Sequence, residues 1–378
     1  MPGPLAGVRV IELGGIGPGP FCGMILSDLG AEVVRIERPT DAGTETSMPI
    51  LLRGRRSAAI DLKSAAGLDV VLRLIDNADA VIEGFRPGVT ERLGVGPETC
   101  LARNPTLVYG RMTGWGQDGP LAHEAGHDIT YIAIAGALEA IGPRDGDPVV
   151  PLNLIGDMGG GGMLLALGIT AALVHAKATG EGQVVDAAMT DGTAIQLAGV
   201  HGLMAAGQWN DRRGSNLLDG AAPFYRVYRC ADRRHIAVGA LEPQFYAALL
   251  RVLELTDDTV FAQQHDRSAW PSMCARLAEI FVTRTRDEWS AAFVGQEACV
   301  APVLSLAEAA AHPHNVARGT YVVGDGVIQP GPAPRFLGTP SAEPGPLHEA
   351  GADTDAVLGE IGLTPAEIDD LRTQGVVA

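Results

Sequence analysis

The chain has 378 residues, 46% hydrophobic and 19% charged, which excludes a disordered or fibrous protein and leaves room, at roughly 100–200 residues per domain, for two cores. Its net charge of −17 is unevenly placed: residues 1–111 hold 12 Lys plus Arg against 13 Asp plus Glu, so the acidic excess lies beyond them. Nucleic acid, which needs a basic face, is disfavoured as a partner.

The opening MPGPLAGVRVIEL has no basic start followed by a long apolar run, which argues against a signal peptide. Residues 8–13 (VRVIEL) read as a strand, 14–20 as a Gly/Pro loop, FCGMILSDLG as an apolar helix and 31–37 (AEVVRIE) as a second strand. Such a βαβ unit builds a parallel sheet. Further strands at 57–62, 79–85, 106–112 and 182–189, with helices such as 65–77 between them, predict a doubly wound α/β domain to about residue 187. The apolar run 163–174 falls short of the roughly 20 residues of a membrane span and is expected to be a buried helix. After a helical stretch (190–209) and a polar one (210–220), FYRVYRC, RRHIAVGAL and helices at 244–254, 269–280 and 286–294 predict a separate α+β unit. A Pro-rich stretch (330–346) leads to two short C-terminal helices. Cys22, Cys100, Cys230, Cys274 and Cys299 show no C-x-x-C pair, which fits a reducing compartment better than a zinc knuckle or a disulfide framework.

Four features carry chemistry. The loop 14–20 follows a strand and opens a helix as a dinucleotide fingerprint does, but Pro20 and Cys22 stand where its last glycine would be, and Pro18 and Pro20 remove backbone donors. A tight turn or a contact with some other ligand remains. Arg38, Lys63, Arg86 and Arg92 fall at strand ends or just after them, so on a parallel sheet they can converge at one edge on a polyphosphate; surface solvation is the alternative. Lys63 and Lys177 are the only lysines, so nearly every cation is a guanidinium fork, by selection for an anionic ligand or by compositional bias. His127 stands in a loop before the apolar stretch 129–141, where a lone histidine is more often structural than catalytic. Asp157 directly precedes glycines 159–162 and an apolar helix. It could simply cap that helix. Four glycines weaken a helix start, however, so backbone is needed at close range, and N–H groups there could form an oxyanion site beside a carboxylate that handles protons or attacks a carbonyl.

On these residues the sequence resembles the family III CoA-transferase superfamily, in its α-methylacyl-CoA racemase branch. The resemblance runs through GPLAGVRVIEL, DLGAEVVRIERP, IDLKS, VIEGFRPGVTERLG, GRMTGWGQDGP, AGHDITYIA, PLNLIGDMGGGGM, GQVVDAAMTDG and GALEPQFY, nearly the whole chain. It implies an α/β fold with a large Rossmann-like doubly wound parallel-sheet domain, a smaller α+β domain and an interlocked homodimer. The large CoA-binding domain would be 1–187, a linker 188–220, the small domain 221–318, and a return linker with a C-terminal segment packing on the large domain 319–378. CoA would run along the sheet edge past Arg38, Asp61, Leu62, Lys63, Gly84, Phe85, Arg86 and Arg92, and the acyl and pantetheine parts past Gly126, Asp128, Ile129 and Tyr131. His127 and Asp157 would be the acid/base pair, with Glu242 from the partner chain orienting His127.

The implied reaction inverts the α-carbon of a 2-methylacyl-CoA thioester by taking a proton from one face and returning one to the other, which needs two proton-handling groups and neither metal nor redox cofactor. The rival on the same fold is CoA transfer with Asp157 as nucleophile. Transferases of that kind usually carry an aromatic residue where His127 stands, so His127 with Glu242 favours racemisation; a non-catalytic acyl-CoA binder would have no need of all three groups. A Met-lined surface, Met189 and Met204 among its residues, is expected to accept several acyl chains. The final Val-Val-Ala is not a peroxisomal signal, so a cytoplasmic site is expected. No membrane partner is expected.

Overall fold

Val10 and Ile11, Val33 and Val34, Ile82 and Val81, and Val108 and Tyr109 point alternately to the two sides of one sheet, and each side has its own helices to cover it. In the computed structural model, which describes residues 3–44, 48–324 and 326–378, the chain runs β1 (Arg9–Leu13), α1 (Pro18–Asp28), β2 (Glu32–Glu37), β3 (Arg56–Ala59), α2 (Ala65–Ile75), β4 (Ala80–Glu83), α3 (Val89–Leu93), α4 (Pro97–Arg103), β5 (Val108–Thr113) and α5 (Asp128–Ile134). There follow α6 (Ala137–Ala140), a π-helical segment (Leu154–Met163) continuing into α7 (Leu164–Thr179), β6 (Gln183–Ala188), α8 (Met189–Gln196) and α9 (Ala198–Ala205). The remainder is β7 (Tyr225–Arg229), β8 (His235–Gly239), α10 (Pro243–Val252), α11 (Trp270–Phe281), α12 (Arg286–Phe293), β9 (Val300–Pro302), α13 (Leu306–Ala311), α14 (Pro313–Arg318), the hairpin β10 (Tyr321–Gly324) and β11 (Val327–Pro330), α15 (Thr354–Glu360) and α16 (Pro365–Thr373).

Two units result. The first comprises Met1–Ala135, Leu152–Gln196 and Pro313–Ala378. Its six strands are all parallel in the order β3-β2-β1-β4-β5-β6. Cys22 and Leu26 of α1 with Leu165, Ile169 and Leu173 of α7 cover one face; Val71 and Leu74 of α2, Cys100 of α4, and Val357 and Ile368 of α15 and α16 cover the other. The chain end returns to the β3 edge, where Asp61 N–H donates to Val376 O at 2.8 Å. Between β1 and β4 the order of the strands reverses, and there a doubly wound sheet opens a crevice at its carboxyl ends.

The second unit comprises Gly136–Pro151 and Leu197–His312. Three antiparallel strands, in the order β7-β8-β9, carry α10, α11 and α12 on a core of Phe224, Tyr228, Trp270, Phe281 and Trp289. Residues 136–151, expected in the large domain, belong here: Arg213 donates to the carbonyls of Glu139, Pro143 and Gly146 and to the Glu139 carboxylate. Residues 188–196, expected in the linker, stay with the sheet unit as α8.

The apolar run 163–174 is longer and less buried than its sequence suggests. Leu154–Thr179 forms one 26-residue helix, long and apolar enough by length and composition to cross a bilayer, with 44% of its most apolar window buried. One flank packs on β5 and β6, while Met163, Leu167 and Val174 are exposed.

Candidate active site

A cavity of about 600 Å³ opens at the β1–β4 reversal, entirely within the sheet unit. Residues 15–20 after β1, Gly84, Phe85 and Arg86 after β4, Thr113, Gly114 and Trp115 after β5, and Met189 after β6 line it, together with Gly126, His127, Tyr131, Asn153 and Asp157. These wall segments are carboxyl-end loops or helix starts, which is why residues far apart in sequence meet there.

His127 is the N-cap of α5, with extended backbone at φ −138° and ψ 168°. Thr130 clamps it: the hydroxyl accepts from His127 N–H at 3.0 Å and donates to His127 O at 2.7 Å. Tyr131, one turn into α5, lies edge-on to Trp115 with ring centroids 4.8 Å apart. It fills the space beside Gly114 and Gly126, where no side chain would fit.

Asp157 stands in the π-helical segment. Asn153 Nδ2 donates to its Oδ2 at 3.1 Å, and its own N–H donates to Asp128 Oδ2 at 2.7 Å. Burial, the largest influence, holds the Asp157 carboxyl above the usual carboxylate range; the Asn153 hydrogen bond opposes this, the Asp128 charge adds to it and His127 lowers it. Burial and the neighbouring Asp157 likewise push the Tyr131 phenol up. Gly17 takes a φ of +70°, which favours glycine, and a Cβ there would lie at ordinary contact distance, 3.5 Å, from Asp157 Oδ2. Pro18 and Pro20 have no N–H, and Phe21 N–H donates to Gly17 O at 3.0 Å, so Gly19 is the residue in this first turn whose amide is uncommitted within the helix.

The glycine run beside Asp157 serves packing. A Cβ on Gly160 would lie 2.9 Å from Thr193 N, on Gly161 3.0 Å from Pro18 Cβ, and on Gly162 2.6 Å from Pro18 O. The run is therefore wedged between α8 and the start of α1. The amide of Asp157 is committed to Asp128, and the first turn of α1 also lines the cavity.

The expected residues separate into three groups. His127, Asp157, Gly84, Phe85, Arg86, Gly126 and Tyr131 come together on the cavity wall. Arg38 and Lys63, both exposed, Asp61 and Leu62, half-buried, and exposed Arg92 sit on the same carboxyl edge, after β2, after β3 and on α3, outside that wall. Asp128 is buried with its carboxylate turned inward, Ile129 is exposed, and Glu242 is the exposed N-cap of α10 in the second unit.

Residues 5–354 match the profile of CoA-transferase family III. The chain belongs to that family. It is 44% identical over 377 residues to the alpha-methylacyl-CoA racemase of Mus musculus and 42% identical over 376 residues to that of Homo sapiens, in each case across 99% of this chain and 97% of the relative. A solved CAIB/BAIF family protein from Brucella suis superposes with a TM-score of 0.83 at 27% identity, over 96% of this chain and all of that one.

For this family III chain, sequence reasoning missed the floor of the cavity. Glu12, 1% exposed, accepts from Arg35 Nη1 and Arg55 Nη1 at 2.5 Å each, and Arg35 Nη2 holds Gly15 O at 2.9 Å. A glutamate inside an apolar strand was the available signal, since a buried carboxylate demands a partner.

Proposed function

We propose that this chain is an α-methylacyl-CoA racemase, an isomerase that interconverts (2R)- and (2S)-2-methylacyl-CoA thioesters. The observation that carries the proposal is the meeting of His127 and Asp157 on one cavity at the carboxyl end of the sheet; the near full-length identity to proteins named as racemases supports it.

With the thioester's α-carbon between the two groups, one of them, as base, takes the α-proton and the C–H electron pair moves into the enolate. The other, as acid, returns a proton to the opposite face, and the electron pair re-forms C–H. For the opposite epimer the roles exchange. Arg38, Asp61, Leu62, Lys63 and Arg92 on the same edge are proposed to hold the CoA nucleotide, and Gly84, Phe85, Arg86, Gly126 and Tyr131 the chain leading to the thioester. The first turn of α1 is proposed to face the enolate oxygen, where the positive end of the helix offsets its charge. Side chains make both proton transfers, so the mechanism calls on no metal and no redox cofactor.

A homodimer belongs to the proposal, with Glu242 of the partner subunit orienting His127; the exposed apolar stripe Met163, Leu167 and Val174 supports it. So does a cytoplasmic location, which the five free cysteines support. Leu154–Thr179 is taken as a core helix because of its packing on β5 and β6.

The test is turnover in D₂O from each epimer. Solvent deuterium is expected at the α-carbon from both, and His127→Ala and Asp157→Ala are each expected to lower the rate about 10²–10⁴-fold. Racemisation that retains the original hydrogen, or wild-type turnover in either variant, refutes it; CoA exchange with free carboxylates without wash-in would point to transfer instead.

A further inference from the structure

Asp128 does more than its place beside His127 suggests. Its side chain is buried, at 6% exposure, and is not part of the cavity wall. Oδ2 accepts the Asp157 N–H at 2.7 Å, while Oδ1 is buried with no partner. The fit is close enough to dictate residue 156: a Cβ on Gly156 would lie 2.7 Å from Asp128 Oδ2 and 3.2 Å from Ile132 Cγ2. Asp128 is also the first residue of α5, directly after His127. One hydrogen bond thus ties the segment that carries the imidazole to the segment that carries the reacting carboxyl.

We propose that Asp128 is a positioning residue, whose carboxylate fixes where Asp157 stands relative to His127 and disfavours a second negative charge beside it, rather than a contact to the acyl-CoA. This rests on the racemase proposal above. A neutral acceptor would supply the tie alone; a carboxylate supplies a stronger, charge-assisted tie and a repulsion that makes Asp157 hold its proton more readily. The groups around Asp157 are Asn153 on its own segment, His127, Asp128 and Tyr131 on or beside α5, and Glu12, Arg86 and Glu124 on the same cavity wall. Among them Asp128 both bonds to the Asp157 backbone and acts on its charge.

The experiment compares the full-length wild-type enzyme with Asp128→Asn and Asp128→Ala, measuring deuterium wash-in from both epimers across pH and amide hydrogen exchange of the peptide 153–163 without substrate. Asp128→Ala loses tie and charge: kcat falls about tenfold or more, KM stays within about threefold, and the amide of Asp157 exchanges faster. Asp128→Asn keeps an acceptor and loses the charge: protection is retained, and the limb of the pH profile set by Asp157 moves to lower pH. A KM that rises with kcat unchanged makes Asp128 a substrate contact and overturns the proposal, as does an Asp128→Asn profile superimposable on wild type. If Asp128→Ala does not fold, Asp128→Asn decides alone. A wild-type enzyme that washes in no deuterium refutes the racemase proposal; amide protection then judges the tie, and equal protection in all three proteins overturns it.

Discussion

Replacing Glu12 by Gln tests the charged floor beneath the cavity. Glu12 is 1% exposed and neutralises two guanidinium groups, of which Arg35 has a second acid in Glu37 at 3.1 Å. Arg55 has less reserve: its Nε and Nη2 are buried and unpartnered, Glu12 is its ion-pair partner among the described residues, and Asp28, the other acid acting on it, is itself paired with Arg53. The neutral amide of Glu12→Gln would keep the volume but leave buried Arg55 without its ion-pair partner, which costs about 3–5 kcal/mol. At about 2–4 °C per kcal/mol, the unfolding midpoint of the sheet unit should fall by about 6–20 °C. Asp76→Asn, which breaks the partly exposed pair with Arg103, should cost no more than about 1 kcal/mol and serves as the control. Because Arg35 also holds Gly15 O, the Glu12→Gln variant should bind acyl-CoA more weakly even where it is folded. Scanning calorimetry beside substrate titration reads both effects, and a Glu12→Gln midpoint equal to that of Asp76→Asn would refute the assignment of Arg55's charge to Glu12.

Gly192→Ala pits helix propensity against packing: alanine favours α8 by about 1 kcal/mol, but its methyl would overlap the backbone of Gly160, and with no side chain there to yield the loss should exceed that gain by about 1–2 kcal/mol. A variant that melts at or above the wild-type midpoint would contradict this packing. Asp157→Asn should stabilise the protein at neutral pH while abolishing turnover. The folded pKa of Asp157 is raised, so the folded state binds its proton more tightly than the unfolded chain does and ionisation weakens folding as pH rises through that folded value. The stability advantage of Asp157→Asn over the wild type should therefore shrink as pH falls below it, and melting curves of both proteins from pH 4 to 8 check the sign.

The sheet was legible because its signal is local. Five of the six parallel strands contain β-branched residues, β3 (RSAA) being the exception, and Glu37, Glu83 and Thr113 end strands where charge or a turn interrupts the run. What depends on distant partners was hidden. Arg53, Arg55 and Arg56 look like a solvated patch in RGRR, yet Arg53 is buried on Asp28 and Gln329, the latter 276 residues away, and Arg55 on Glu12. The site was legible by residue type rather than by geometry: the spacing from His127 to Asp157 says nothing about the bond from Asp128 to the Asp157 amide. The π-helical turn lacks a composition signal of its own, and its glycines, conspicuous in sequence, are where α8 and the start of α1 pack against it.

Racemisation and CoA transfer ask different things of the same carboxyl, and the surroundings of Asp157 fit the demands of the first. A nucleophile that attacks the thioester carbon must be ionised and must leave that carbon open to a second substrate. A proton carrier must be able to hold its proton and must face a second carrier across the α-carbon. Asp157 has its proton affinity raised by burial and by Asp128, and it shares its cavity with an imidazole clamped at a helix start by Thr130. Burial that raises a carboxylate's basicity brings it nearer to an imidazole, so that proton transfer in the two directions becomes more nearly balanced. A free, hydrated aspartate opposite His127 would be too weak a base to return the enzyme to the state that accepts the other epimer. On the racemase proposal the desolvation of Asp157 would serve the chemistry, and the glycines that let α1 and α8 pack beside its segment would contribute to that desolvation.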